Sequence, residues 1–484
     1  MPHHAVPYLA LLAQQQAATL RERVCAMLRK AIRSGALAGN GRLPSSRLLA
    51  QDLAISRVTV EAAYAQLESE GYLFRQTGRG TFVAHDLPAA PVQTATSPPV
   101  QLSARGQLIH RGGGCDDPPY PQAFAAGSPD LRAFPHRIWR RLTQQRQRLE
   151  GEKLMGYGDP QGLPLLRSAV ADYLGQSRGV RCSADRVMIL TSSQQALQMI
   201  ALLLCDSGDP VWLEEPGYDG AWHAFRSAGA KVSGIRVDEG GAVPAEAVPP
   251  RLVYLTPSHQ YPTGVTLSLA RRLAWLNFAR QSGCWLIEDD YDSEFHYHRN
   301  PQPALQGLED DARVLYLGTF SKVLFPSLRL AYLVVPDALI EPLCRLRSMM
   351  DGHSAQLMQA VTADFMQHGH FAAHLRLMRQ LYRSRRDLLC RELADKLGDR
   401  LTPLTHQGGL QLAVQLNHGG EQRLTQQAAA TGLLLPRLSP LYHQQSSEAR
   451  EGWILGYSAL QPNEIIQAVD KLARLSDWPR GGQS

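Results

Sequence analysis

The chain has 484 residues, 44% of them hydrophobic, which is too long for one ordinary core and too apolar for a disordered chain, so two or three folded domains are expected. Apolar runs stop short of the roughly 18 to 20 residues of a membrane span, Tyr8–Ala13 lacks the basic leader and cleavage site of a signal peptide, and the seven scattered Cys form neither a CxxC pair nor a metal spacing, a pattern that fits a reducing cytoplasm. Residues 1–85 hold ten Lys or Arg against five Asp or Glu while the whole chain carries +6, so a small basic segment precedes a nearly neutral body and a polyanionic partner is expected for that segment alone.

In chain order, the spacing of Leu20, Val24, Met27, Leu28, Ala31 and Ile32 predicts a helix over 15–34, broken by Gly35 and Gly39-Asn40-Gly41. Ser45 or Ser46 caps a short helix to about Leu53, and Ser56 caps another to about Glu70, closed by Gly71. Tyr72–Phe74 and Thr81–Val83 alternate as two strands around the turn Gly78-Arg79-Gly80. Three helices followed by a hairpin make a winged helix-turn-helix, an α+β domain over 1–85. Residues 86–120, with Pro88, Pro91, Pro98, Pro99, Pro118 and Pro119 among small polar residues, predict an extended linker. That length would let the first domain reach a neighbouring subunit.

Residues 121–484 alternate strand and helix signals. The runs at 187–190, 211–213, 252–255, 285–287, 314–317 and 330–335 are apolar almost throughout, which predicts a mostly parallel sheet covered on both faces, an α/β domain. Helices dominate from about Ile340 to Leu397, and a smaller α+β subdomain closes the chain.

Leu43-Pro44-Ser45-Ser46-Arg47, Ser56-Arg57-x-Thr59-Val60, Ala63-Tyr64-x-x-Leu67-x-x-Glu70-Gly71-Tyr72-Leu73 and Gly78-Arg79-Gly80-Thr81-Phe82-Val83 follow one another in the order of a GntR-type winged helix, which this segment resembles. Arg57 and Thr59 stand at a helix N-terminus, where amides and side chains meet phosphates and base edges. Arg47 can grip the DNA backbone, and Arg79, between two glycines, can enter a minor groove. Arg47, Ser56, Arg57, Thr59, Arg79 and Thr81 are the candidate contacts to double-stranded DNA. Leu49, Leu53, Val60, Tyr64, Leu67 and Leu73 are read as core.

Thr319-Phe320-Ser321-Lys322 with Arg329 offers an amine, two hydroxyls and a guanidinium within a few residues, the groups that an aldehyde cofactor with a dianionic phosphate requires. The run resembles the lysine motif of fold-type I aminotransferases. That resemblance implies pyridoxal 5'-phosphate held as an internal aldimine at Lys322, with Asp289 on the pyridinium nitrogen and Tyr291 on the ring hydroxyl. It further implies a phosphate cup at Ser193 and Gln194, an aromatic stacked on the ring at Tyr218, and Tyr157 lent across a dimer interface. Asp290 and Asp292 are read as solvated turn acids. The chain departs from the pattern where Tyr261 replaces an Asn, and where Gly452–Tyr457 lacks the carboxylate-clamping Arg; Arg437 is the candidate substitute.

Taken together, the chain resembles the MocR-like regulators, a GntR-type reader fused to an aminotransferase-like domain. The resemblance implies a cytoplasmic, head-to-tail homodimer that senses an amine, an amino acid or pyridoxal phosphate itself, without a metal and away from membranes. The alternative is a working aminotransferase with a DNA-binding appendage.

Overall fold

The computed structural model describes residues 6–85, 100–112, 122–245, 248–297, 302–309, 313–404, 407–444 and 449–479. It divides into two compact units, Met1–Gln101 and Leu102–Ser484. Most of the interval 86–120, including the prolines that predict an extended linker, lies outside the described residues.

The first unit contains α1 (Tyr8–Ala13), α2 (Leu20–Arg33), α3 (Ser46–Asp52) and α4 (Arg57–Ser69), then the antiparallel pair β1 (Leu73–Gln76) and β2 (Gly80–Val83). The helix starts are set by side chains. The Thr19 hydroxyl accepts the Glu22 N–H at 3.3 Å, and the Glu22 carboxylate accepts the Thr19 N–H at 3.1 Å. This reciprocal cap starts α2 at Leu20 rather than near residue 15. Ser45 and Ser56 cap α3 and α4 one way only, their hydroxyls accepting the Leu48 and Val58 N–H groups at 3.2 and 3.3 Å. Val24, Leu28, Leu49, Val60 and Leu67 are fully buried between these helices. In the hairpin Phe74 pairs with Phe82, and their rings stack at 5.6 Å.

The second unit opens with α5 (Ala104–Arg111), capped by the Ser103 hydroxyl on the Gly106 N–H at 3.0 Å. This corrects the expectation of extended chain throughout 86–120: a local cap with no intervening proline allows a helix there. Next come α6 (His136–Glu150), α7 (Pro164–Arg178), β3 (Val187–Leu190), α8 (Ser193–Leu204), β4 (Pro210–Glu215), α9 (Asp219–Ser227), β5 (Lys231–Asp238), β6 (Gly241–Ala242), β7 (Leu252–Leu255), α10 (Leu269–Ser282), β8 (Trp285–Asp290), α11 (Leu305–Leu308), β9 (Val314–Thr319) and β10 (Ala331–Val334).

The strands form one sheet in the order β3-β10-β9-β8-β7-β4-β5-β6. Pairing is parallel from β9 through β5. β10 is antiparallel to both β9 and β3, so β3 points the same way as β9. Successive residues of a strand face opposite layers. Val187 and Ile189 join the core of α7 with Val170 and Leu174, whereas Met188 and Leu190 join that of α8 with Leu197 and Ile200. Cover on both faces is the reason β3 reads as a continuous apolar run.

α12 (Asp337–Met350), α13 (Gln356–Gln367) and α14 (His370–Leu397) lead into an antiparallel sheet of β11 (Leu401–Pro403), β12 (Gln411–Leu416) and β13 (Gly452–Gly456), accompanied by α15 (Glu421–Ala430) and α16 (Pro462–Ala473). Among the described residues no helix is long and apolar enough to cross a membrane.

Candidate functional site

In an open parallel sheet the carboxyl ends of the strands form a crevice where ligands bind. β8 ends there with Asp289 and Asp290, β9 with Thr319, and Lys322 follows directly. β3 delivers the N-terminus of α8 to the same edge. Ser192 caps that helix, its hydroxyl accepting the Gln195 N–H at 3.1 Å, so Ser193 and Gln194 occupy the first turn with amides free of intrahelical bonds. The Gln194 side chain donates to Gly220 O at 2.8 Å, tying this turn to α9, which Tyr218 precedes.

Lys322 lies against Gly127. A β-carbon at Gly127 would stand 2.7 Å from Lys322 Nζ and 3.6 Å from Gln411 Oε1, and the glycine has a φ of +65°. Across the crevice Asp289 is 5% exposed. Its Oδ2 accepts the Tyr254 hydroxyl at 2.7 Å, while Oδ1 is buried without a hydrogen-bond partner. Burial pushes the Asp289 carboxyl up to about 7; the Tyr254 hydrogen bond and the Lys322 charge pull against that, and the Asp290 and Asp292 charges add to it.

The remaining sequence-predicted residues are placed as follows. Tyr291 donates to His259 O at 3.0 Å. Tyr261 stands edge-on to Tyr218 at 5.7 Å and to Tyr291 at 6.3 Å. Thr319 Oγ1 accepts the Ser321 N–H at 3.1 Å. Arg329 is exposed with left-handed backbone (φ 52°, ψ 51°), a conformation that costs a non-glycine residue on the order of 1–3 kcal/mol and concentrates at functional sites. Tyr157 is fully exposed, its ring edge-on to His353 at 6.4 Å.

Two acids correct the sequence reading. Asp290 and Asp292 are not solvated: they are 4% and 1% exposed. Asp290 pairs with Arg178 at 2.8 Å and accepts the Tyr316 hydroxyl at 2.5 Å; Asp292 meets His259 Nδ1 at 2.7 Å. Arg437 is exposed, and Ile454, which follows its bridge partner Trp453, is buried. Tyr254, Gly127 and Gln411 escaped the sequence reading. Tyr254 sits in an apolar run that reads as plain strand, and only its parallel pairing with Ile287 brings its phenol beside Asp289, two residues further along the same face.

In the first unit Ser56 caps α4 and the Arg57 guanidinium pairs with Glu61 at 2.8 Å, both side chains remaining open to water. Arg47 is exposed at the start of α3, Thr59 is half-buried, and Val58 between Arg57 and Thr59 is 73% exposed. Arg79 is exposed at the hairpin tip between Gly78 (φ 74°) and Gly80 (φ 114°). Thr81 is half-buried, and its carbonyl accepts the Leu43 N–H at 2.9 Å.

Residues 124–472 match the family described as aminotransferase class I and II, and residues 20–83 the gntR family of bacterial regulatory proteins. The chain is 38% identical to the probable rhizopine catabolism regulatory protein MocR of Rhizobium meliloti, over 92% of this chain and 91% of that one. It is 30% identical to the pyridoxine biosynthesis transcriptional regulator PdxR of Corynebacterium glutamicum, over 93% and 94%. Among solved structures it resembles LysN, the α-aminoadipate aminotransferase of Thermus thermophilus complexed with N-(5'-phosphopyridoxyl)-L-leucine, with a TM-score of 0.67 and 27% identity, covering 77% of this chain and 94% of that one.

Proposed function

This chain belongs to the MocR-type transcriptional regulators, in which a GntR DNA-binding domain precedes an aminotransferase class I and II domain, and from that premise we propose that its second domain holds pyridoxal phosphate at Lys322 and uses it to detect an amine. The class I and II aminotransferase family depends on that cofactor.

The observation that carries the reading is the unpartnered Oδ1 of Asp289, buried opposite the Lys322 amine. A buried carboxylate oxygen without a donor is costly, and a cationic ring N–H is the kind of donor that would satisfy it. The surrounding groups fit the rest of the molecule. Lys322 offers the amine, Tyr218 the aromatic face, and Tyr291 a phenol. Thr319, Ser321, Arg329 and the first-turn amides of Ser193 and Gln194 offer phosphate donors. The full exposure of Tyr157 supports a homodimer, arranged head to tail, in which Tyr157 of the partner subunit completes that phosphate site.

When bound, pyridoxal phosphate supplies an aldehyde that takes amines and a ring that draws electron density from them. Asp289 holds a proton on the ring nitrogen, and Tyr254 holds Asp289 in place. With the cofactor bound, Lys322 and an effector amine would compete for one position beside Gly127. A switch follows only to the extent that the effector binds one arrangement of the domains better than the other. The same scheme serves pyridoxal phosphate as the signal, its arrival alone setting the readers on double-stranded operator DNA in the cytoplasm. Arg47, Ser56, Arg57, Thr59, Arg79 and Thr81 are the DNA contacts of this reading.

A working aminotransferase is less supported, since the MocR and PdxR relatives, matched over 91% and 94% of their length, are named as regulators. Steady turnover of an amino acid with a keto acid would restore it. The test of the main reading is the visible spectrum of the purified protein before and after borohydride, with the trapped mass mapped by peptide analysis. A cofactor band fixed on the Lys322 peptide and lost in Lys322→Ala supports it. The absence of any band after adding pyridoxal phosphate refutes it.

A further inference from the structure

In the second unit, α14 forms one wall of a cavity of about 450 Å³. Arg376, Arg379 and Arg383 line it, and all three are exposed. Arg376 and Arg383 lie two turns apart on one face of the helix, with Arg379 between them, so the three guanidinium groups are spread over about 10 Å of helix axis. Among the described residues Arg376 and Arg383 have neither a carboxylate nor a hydrogen-bond acceptor. Arg379 uses only its Nε, on Glu294 O at 2.8 Å, which leaves its terminal nitrogens open. The Glu294 carboxyl accepts the Tyr173 hydroxyl at 2.8 Å and is not on the wall. Among the described lining residues the acid is Asp387, and Arg386 already neutralises it, from Nε at 2.9 Å and from a terminal nitrogen at 2.6 Å. The Arg386 guanidinium in turn lies 4.8 Å over the ring of Tyr297, whose hydroxyl donates to Gly409 O at 2.6 Å, so this side of the cavity is held in place. Three cations therefore face one concave space without a counter-charge.

We infer that this cavity is a second ligand site, built for a small polyphosphate, a chain of at least two linked phosphate groups, either free or carried by a nucleotide. A guanidinium fork matches two phosphate oxygens at once and keeps its charge at any ordinary pH. One phosphate group is too small to meet forks spread over about 10 Å, whereas linked phosphates carry charge along such a distance. A concave wall of one sign concentrates its field on a ligand of the other. A cavity of this volume suits a small molecule rather than a duplex. The Gln380 amide adds a neutral donor on the same wall. The site does not depend on what Lys322 holds.

The test titrates tripolyphosphate, orthophosphate and ATP, without added metal, into the full-length protein by calorimetry at about 0.15 M salt. Tripolyphosphate is expected to bind once per chain and at least about tenfold tighter than orthophosphate. Arg376→Gln combined with Arg383→Gln should weaken it at least about tenfold. Arg391→Gln, which removes an exposed arginine two turns further along α14, should leave Kd within about twofold. Each single substitution should show part of the loss, so the comparison stands even if the double variant fails to fold. ATP binding with the same sensitivity to the double variant supports a nucleotide as the ligand, and tripolyphosphate binding without ATP supports the free polyphosphate. A Kd unmoved by the substitutions puts the phosphates elsewhere, on the basic first domain or beside Lys322, and overturns the inference. Orthophosphate binding as tightly as tripolyphosphate, or no binding of either, overturns it as well, and all these outcomes leave the proposed function standing.

Discussion

Tyr254 and Asp289 meet across the neighbouring parallel strands β7 and β8, the phenol donating to Oδ2 at 2.7 Å with both residues buried. Among the described residues the phenol is the hydrogen-bond donor that opposes the burial of Asp289, whose carboxyl still lies as high as about 7. Around neutrality the cofactor-free site therefore holds a mixture of acid and carboxylate, and only the carboxylate accepts a cationic ring nitrogen.

The affinity for pyridoxal phosphate should accordingly fall as pH drops below about 7, as far as the Asp289 carboxylate is required. Tyr254→Phe removes the donor and moves that fall to higher pH, by about one unit. Spectrophotometric titration of the cofactor at a series of pH values checks this. Identical profiles for the two proteins would show that Asp289 does not govern binding.

Glu214 is also buried, and its carboxyl is pushed up to about 7 against hydrogen bonds from Thr256 and Gln260. The folded protein keeps this proton where the unfolded chain, with a glutamate near about 4.3, has lost it. The stability contributed by Glu214 is thus complete below about pH 4 and lost as pH rises through about 7. Glu214→Gln should lessen the loss between these limits by up to about 3 kcal/mol. Thermal midpoints of the cofactor-free protein at pH 5 and pH 8 provide the comparison. A larger drop in the variant than in the parent would reverse the sign of the argument.

Arg178 and Asp290 form an ion pair with side chains 3% and 1% exposed. Arg178→Met leaves the carboxylate buried without its cation, at a cost of about 3–5 kcal/mol. Asp290→Asn in the same chain should restore at least half, because no charge then remains to strand. Urea denaturation of the parent, the single variant and the double variant closes the cycle. An additive double variant would mean that the two residues do not act as a pair.

At the start of α4, Val58 exposes a β-branched apolar side chain between Arg57 and Thr59. Methyl groups there suit the thymine methyl in a major groove. Val58→Ala should cost specific binding about 1 kcal/mol and leave non-specific binding unchanged. Arg79→Ala should weaken both and lower the slope of log K against log salt by about one. Fluorescence anisotropy on a selected operator and on random duplex separates the two behaviours. A Val58→Ala loss equal on both duplexes would place that residue off the bases.

Local features were legible in the sequence. The caps of α3 and α4 hold amides within three residues of Ser45 and Ser56, so their starts were readable without any tertiary knowledge. The apolar strands of the central sheet were legible because burial on both faces leaves no polar alternation. β5 was missed for the opposite reason: near the edge of the sheet, only Ile235 of Lys231–Asp238 is buried, so no hydrophobic run marks it. Burial of Asp290 and Asp292 was misread because their partners, Arg178 and His259, lie 112 and 33 residues away. Lys322 and Arg329 are proposed from residue type and spacing and Asp289 from the family resemblance, whereas Tyr254, an aromatic in an apolar run, is indistinguishable from core until the strands pair.

Gly127 has a consequence for how mutations are tolerated. It carries no functional group, yet its α-hydrogen marks the place where any side chain would push Lys322 Nζ aside. The obstruction is soft, since the end of a lysine swings away cheaply, and the positive φ adds only about 1 kcal/mol of backbone cost. Gly127→Ala should therefore yield a protein that folds as the parent does, with Lys322 Nζ displaced from its place in the crevice.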